Sequence, residues 1–380
     1  MTTIKPAINV IPLRIIRELK IAKLALLTNS AAKAIDGSTT DIFLSKNLGL
    51  KLSALFAPEH GYSGTLSAGK EFRSAKHPRL NIPIHSLYGI NKRPTPLMLK
   101  NIDIVLIDIQ MLPARPYTYC STIAMMIEEC SRLNIKVIIL DRIVPCSTVI
   151  DGPNLDSRFS SFVSYIPSPM AFGMTPGELG LYIAAIRKIK LDLSIVKIQG
   201  FDRTDYRASE FFKPWVSPSP AITCYEAAVT YLATVFSESF PSMFETRKSG
   251  MPFRSFGADW MDARSVADSL NKVGIKGASF TPFRFPRTDR LNCVKINVTD
   301  DRIFLPASTS IYILAAMANE YGADMLWEHP AFNMDHFDRL YGTDMVRNEL
   351  KHGTNPDKLL LQMKSGIRSF VLQRNKHLLY

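Results

Sequence analysis

Four short apolar segments of this chain each end in residues able to hold or move a proton. Thr28-Asn29-Ser30 follows the first, Ala57-Pro58-Glu59-His60-Gly61 the second, Asp108-Ile109-Gln110 the third and Asp141-Arg142 the fourth. If the segments are strands of one parallel sheet, the loops after their carboxyl ends share an edge, where ligands of open α/β folds bind. Asn29, Glu59, His60, Asp108, Gln110 and Asp141 would then gather on one rim. Strand-end carboxylates also serve as helix N-caps, so each of them alone has a structural reading as well.

Glu59 stands out because it sits between a rigid proline and a His-Gly turn, directly after an apolar strand that limits its hydration. That is the setting a general acid working near neutral pH requires. The alternative is a carboxylate capping backbone amides of the Gly61 to Gly64 turn. On the same rim, Ala114-Arg115-Pro116-Tyr117-Thr118-Tyr119 offers a forked cation beside two phenols. Arg grips carboxylates with two parallel bonds and Tyr presents an apolar face with a polar tip, a combination suited to an acidic sugar. An ion pair of Arg115 with Asp108, holding the loop, is the structural alternative.

Other chemistries lack their residues. Neither Gly-x-Gly-x-x-Gly nor a complete Gly-x-x-x-x-Gly-Lys-Ser/Thr occurs, which disfavours nucleotide cofactors. The seven histidines include no His-Glu-x-x-His, and Glu328-His329 to Asp335-His336 reads as a polar loop, so no catalytic metal is expected. Gly-x-Ser-x-Gly is absent, leaving acyl transfer without support. Glycoside hydrolysis is the main reaction class that needs two carboxyls and no cofactor.

The elements that must position these groups follow a repeated pattern. Leu24 to Thr28, Ser53 to Ala57, Ile102 to Ile109 and Lys136 to Leu140 have strand length and no helical period, most of them roughly 30 to 40 residues apart. The pattern predicts βαβ units around a parallel sheet. Tyr119 to Leu133 places Ile123, Met126, Ile127 and Cys130 at the spacing of a crossover helix. Thr175, Pro176 and Glu178 form a capping box opening a helix from 176 to about 189. A strand is expected over Leu193 to Ile198 and an irregular junction over Lys213 to Pro220. Beyond it the chain reads as mixed: helices over Ala263 to Val273, Thr309 to Tyr321 and Pro356 to about Gln373, and a strand over Val294 to Val298. The division expected is a Rossmann-like catalytic domain over 21–208 and a smaller α/β domain over 209–380 completing a cleft.

Composition bounds the partners. With 380 residues, 46% hydrophobic and 21% charged, the chain is long enough for two cored domains and unlike a disordered scaffold. Its net charge of +12 is spread along the chain, which argues against nucleic acid and suits a modestly anionic small substrate. No apolar run approaches the roughly 18 residues of a membrane span. Arg14, Arg17, Glu18 and Lys20 interrupt any secretory leader, and five scattered cysteines without a Cys-x-x-Cys pair suit a reducing compartment. A cytoplasmic location is expected, with export as the alternative.

Several stretches stand in a familiar order: Leu55-Phe56-Ala57-Pro58-Glu59-His60-Gly61, Ser86-Leu87-Tyr88-Gly89, Arg93-Pro94-Thr95-Pro96, Asp108-Ile109-Gln110, Ala114-Arg115 with Tyr117-Thr118-Tyr119, Leu140-Asp141-Arg142, Gly152-Pro153, Phe159-Ser160-Ser161-Phe162, and Gly173-Met174-Thr175 with Gly177-Glu178-Leu179. From about Lys23 to Leu378-Leu379-Tyr380 the chain resembles the NamZ-type exo-β-N-acetylmuramidases, glycoside hydrolase family 171. The resemblance implies a Rossmann-like domain, a second α/β domain, and release of N-acetylmuramic acid from the non-reducing end of peptidoglycan fragments. It implies that Glu59 is the catalytic acid, and that Glu245 or Asp108 is the second carboxylate unless the substrate's acetamido group acts instead. Arg115 or Arg247 would then hold the lactyl carboxylate, with Asn29, His60, Gln110, Tyr117, Tyr119 and Asp141 around the sugar.

The chain departs from the family pattern at Met111, where Asp is usual, at Phe172, where His is usual, and at Ala221. Over Phe236 to Lys248, Glu245 and Arg247 keep their places while the earlier Glu survives only as Glu238, offset by one residue. Met111 and Phe172 would make the cleft more apolar. That opens a second reading, a sugar-binding or regulatory paralogue that keeps the fold.

Overall fold

The computed structural model describes residues 3–72, 75–240, 250–284 and 292–380. Glu245 and Arg247, two of the expected site residues, lie outside these. The first half is built on a sheet of β1 (Leu24–Thr28), β2 (Leu52–Ala57), β3 (Ala75–Lys76), β4 (Pro83–Ser86), β5 (Ile104–Asp108), β6 (Lys136–Leu140) and β7 (Leu193–Val196). Their order is β3-β4-β2-β1-β5-β6-β7, and every pairing is parallel except β3 with β4. The edge pair β3 and β4 is the part the sequence pattern did not announce, since Pro83 masks a four-residue strand.

Every residue of β1 and β5 is buried, as central parallel strands covered on both faces must be. Alternate residues go to opposite cores. Leu24, Leu26, Leu55, Ile104, Leu106 and Leu140 pack with Ile15 and Leu19 of the helix Leu13–Ile21. Ala25, Leu27, Phe56, Val105, Ile107, Val137 and Ile139 pack against the helices Thr118–Arg132 and Pro176–Ile186 through Ile123, Met126, Ile127, Leu179 and Ile183. The period of two along each strand thus becomes a three-layer structure.

That second core does not stop at the sheet. It continues without a break into Ile311, Leu314, Phe337 and Leu340 of the second half. There β8 (Ser255–Ala258), β9 (Ala278–Arg284) and β10 (Asn292–Val298) form an antiparallel sheet in the order β8-β10-β9, packed by the helices Ala263–Val273 and Tyr225–Thr234. The polar loop expected over Glu328-His329 to Asp335-His336 ends instead in the first turn of the helix Met334–Tyr341, capped by the Asn333 side chain accepting from His336 N. Polar contacts join the two halves as well. Ser308 N donates to Asp151 Oδ2 at 2.9 Å and Arg374 Nε to the Phe172 carbonyl at 2.9 Å.

The predicted capping box is present: Thr175 N donates to Glu178 Oε2 at 2.9 Å and Glu178 N to Thr175 Oγ1 at 3.3 Å. Asp141 completes the helix start, accepting from Gly177 N at 2.7 Å, Thr175 Oγ1 at 2.8 Å and the Tyr380 hydroxyl at 2.8 Å. Gly177 is required there, because a Cβ would stand 2.8 Å from Asp141 Cγ. Burial outweighs these donors and pushes the Asp141 carboxyl up to about 7.

A raised acid is held neutral more readily in the folded than in the unfolded chain, whose Asp titrates near 4. The contribution of Asp141 to stability is therefore full below about pH 4 and is lost as pH rises towards 7. The neutral variant Asp141→Asn lacks this slope. Thermal melts from pH 4 to 7 should show wild type losing on the order of 3 kcal/mol relative to the variant, and parallel profiles would refute the assignment.

Candidate active site

A cavity of about 920 Å³ opens beside the carboxyl end of β2. Glu59 forms part of its wall, together with His60, Gly69, Tyr88, Tyr117 and Thr118 from the first half and Tyr231, Ser237, Glu238, Phe253 and His336 from the second. The stretch Ser219 to Ile222, next to the expected junction, lines it too.

Glu59 is 8% exposed. Its Oε1 accepts from Gly69 N at 3.1 Å and its Oε2 from Thr118 Oγ1 at 2.8 Å, at the first turn of the helix Thr118–Arg132. The expected alternative, capping of the Gly61 to Gly64 turn, does not occur. Gly69 belongs to the stretch Gly64-Thr65-Leu66-Ser67-Ala68-Gly69-Lys70, which has the glycine and lysine spacing of a phosphate loop. It is followed by Glu71 rather than Ser or Thr, and leads to β3 rather than to a helix. Its amide serves the carboxylate instead. The Thr118 hydroxyl can donate to a carboxylate or accept from a carboxylic acid, so this contact survives either protonation state of Glu59.

His60 takes a positive φ of 69° and Gly61 one of 75°, which turns the chain sharply away after Glu59. The His60 Nδ1 lies 2.6 Å from the Leu66 carbonyl and fixes the loop. Tyr117 packs edge-on to Tyr231 with ring centroids 5.8 Å apart, joining the walls contributed by the two halves. Burial raises the Tyr117 phenol. The Tyr88 phenol is pushed up to about 12 by burial and then by the carboxylates of Glu59, to which it hydrogen-bonds, and of Glu238.

Other expected residues are used inside the protein. Asp108 is 1% exposed and is gripped by Arg142, whose Nη2 donates to Oδ2 at 3.0 Å and whose Nε donates to Oδ1. Thr40 Oγ1 adds a bond of 2.6 Å to the same carboxylate. Asp108 therefore does not supply the cavity's second carboxylate. Arg115 neither pairs with Asp108 nor reaches the cavity. It is completely enclosed, donating to the carbonyls of Pro153 at 3.0 Å, of Ser168 and of Tyr341.

Asn29 and Gln110 clamp β1 to β5, with Asn29 Nδ2 donating to the Gln110 carbonyl at 3.0 Å and Gln110 N to Asn29 Oδ1 at 3.2 Å. Tyr119 ties the junction down by donating to the Pro218 carbonyl at 2.7 Å. Asp141 is consumed at the helix start described above. Met111 and Phe172 are both fully buried in the core, away from the cavity wall, so neither makes the cleft more apolar. Ala221 does line it.

The residues missed are those that topology alone does not bring to a sheet edge. Glu238 sits in the 3-10 turn Val235–Ser239, its Oε2 3.9 Å from His336 Nε2. The one signal for it was the displaced glutamate of the motif over 236–248. Among the described residues, no group of three or more His, Cys, Asp or Glu side chains is placed to hold a metal ion.

A mostly parallel-sheet domain shares a common core with a second α/β unit, and two carboxylates, Glu59 and Glu238, line one cavity, the kind of pair that glycoside hydrolases use. The chain belongs to the exo-β-N-acetylmuramidase NamZ family: residues 24–226 match its N-terminal domain and residues 229–380 its C-terminal domain. It is 32% identical over 373 residues to the peptidoglycan β-N-acetylmuramidase NamZ of Bacillus subtilis strain 168, an alignment covering 96% of this chain and 88% of that one. Two crystal structures of DUF1343 family proteins from Bacteroides fragilis NCTC 9343 share the fold. One superposes with a TM-score of 0.89 at 25% identity over 99% of each chain. The other has a TM-score of 0.75 at 24% identity, covering 100% of this chain and 99% of that one.

Proposed function

We propose that this protein is an exo-acting glycoside hydrolase that releases N-acetylmuramic acid from the non-reducing end of peptidoglycan fragments. The observation that carries the reading is Glu59: a carboxyl fixed on both oxygens and lining a cavity large enough for a sugar, which Glu238 lines as well. Residues 21–208 form the catalytic body and residues 209–380 close the cavity over the substrate.

Glu59 protonates the glycosidic oxygen as the bond from C1 to that oxygen breaks, and the fragment leaves as an alcohol. Glu238 is the second carboxylate, taking up a proton from the water that adds to C1 or orienting the sugar's own acetamido group against C1. Tyr88, kept protonated, donates to Glu59 when that carboxylate is charged. Glu238→Gln should lower kcat/KM by about 100-fold with the melting temperature unchanged, read with a chromogenic muramide. Failure of wild type to release N-acetylmuramic acid from a disaccharide bearing it at the non-reducing end would overturn the proposal.

Among the described residues, no helix is long and apolar enough to cross a membrane. All five cysteines are free thiols, three of them buried, which supports the reading of a cytoplasmic enzyme recycling cell-wall fragments.

A further inference from the structure

N-acetylmuramic acid differs from N-acetylglucosamine by a lactyl ether that carries a carboxylate, and two arginines were expected to read it. Arg115 is sealed in the core, and Arg247 lies outside the described residues. Among the described residues of the cavity wall, Lys92 alone carries a permanent positive charge.

Its surroundings are built to hold it. The Lys92 ammonium lies 5.4 Å from the centre of the Phe162 ring, and the Phe162 and Tyr88 rings stand 6.0 Å apart. Tyr88 in turn is the phenol that feels Glu59. The next residue, Arg93, anchors the loop by donating to Glu128 Oε2 at 2.7 Å and to the Tyr165 hydroxyl at 3.0 Å. Phe162 is presented by a tight turn in which Ser161 and Ser164 exchange backbone bonds of 3.1 and 3.0 Å. Its carbonyl accepts from Ser121 Oγ at 2.7 Å. No carboxylate among the described residues pairs with Lys92. The platform therefore offers an aromatic face for a sugar ring and, beyond it, an ammonium that no carboxylate of the described residues neutralises.

Resting on the muramidase reading above, we propose that Lys92, carried on Phe162, is the residue that recognises the lactyl carboxylate and so selects muramic over glucosamine residues. A lysine acts as a point charge and needs no fixed fork to capture such a group. Because Lys92 is exposed at the cavity wall, the gain is screened and amounts to roughly tenfold rather than the hundredfold of an enclosed pair.

The test is direct binding, by titration calorimetry, of N-acetylmuramic acid and of its lactyl methyl ester. Wild type should prefer the acid, and raised salt should erode that preference. Lys92→Gln should reduce the ratio of acid to ester affinity about tenfold, and Lys92→Arg should restore most of it. A ratio unchanged in Lys92→Gln, or equal losses for acid and ester, would overturn this assignment even if wild type hydrolyses muramides. Absence of hydrolysis by a wild type that still shows the Lys92-dependent ratio counts against the hydrolase reading alone. Binding of neither ligand by wild type overturns both.

Discussion

Glu59→Gln is expected to reduce kcat/KM on muramides by about 10²- to 10⁴-fold while leaving the fold and sugar binding in place. The size follows from the role: a positioned proton donor contributes that much, and glutamine keeps the shape while removing the proton. The carboxamide can still accept from Gly69 N through its oxygen. Its amino group can donate to Thr118 Oγ1, whose hydroxyl rotates to accept. Loss of turnover with an unchanged melting temperature and retained N-acetylmuramic acid binding is the predicted signature. Activity within tenfold of wild type would remove Glu59 from the chemistry.

Asp108→Ala should behave in the opposite way. Removing the carboxylate strands the Arg142 guanidinium, itself 4% exposed, without its partner. Breaking a buried pair on one side costs about 3–5 kcal/mol, because a charge is left without compensation. Denaturant titration should show that loss, while kcat per folded molecule stays near wild type because Asp108 does not face the cavity. Replacing both partners, as Asp108→Leu with Arg142→Met, should recover much of the stability. A catalytic defect in Asp108→Ala at full stability would return this residue to the list of acid–base candidates.

The contrast between these two residues shows what periodicity and strand-end position can and cannot reveal. Runs such as Leu24–Thr28 and Lys136–Leu140 were legible because burial on both faces leaves a continuous apolar stretch with sharp ends. The capping box at Thr175 was legible because it is a local chemical pattern. The same rules placed Glu59, Asp108 and Asp141 at one sheet edge but did not say which partners would claim them. Arg142 follows β6 and takes the carboxylate at the end of β5. The helix starting at Pro176 takes Asp141. Neither contact is visible at short sequence range.

The lining contributed by the second half was harder still. Glu238, Tyr231 and His336 come from helical segments more than 170 residues beyond Glu59 in sequence, and the long-range packing of the second half alone brings them to the cavity. His336 was hidden further because its helix has only eight residues, too few for a clear apolar period.

The continuous core has a consequence for anyone who would recombine family members. Arg115 reaches from the sheet domain to the carbonyl of Tyr341, and Arg374 reaches back to Phe172. The side chains between them pack as one body. A chimera that grafts the second half of another member onto this first half would inherit a seam whose buried cations meet foreign carbonyls. Such a graft calls for the seam residues to be transplanted as a set, so the two halves act as a single unit of inheritance.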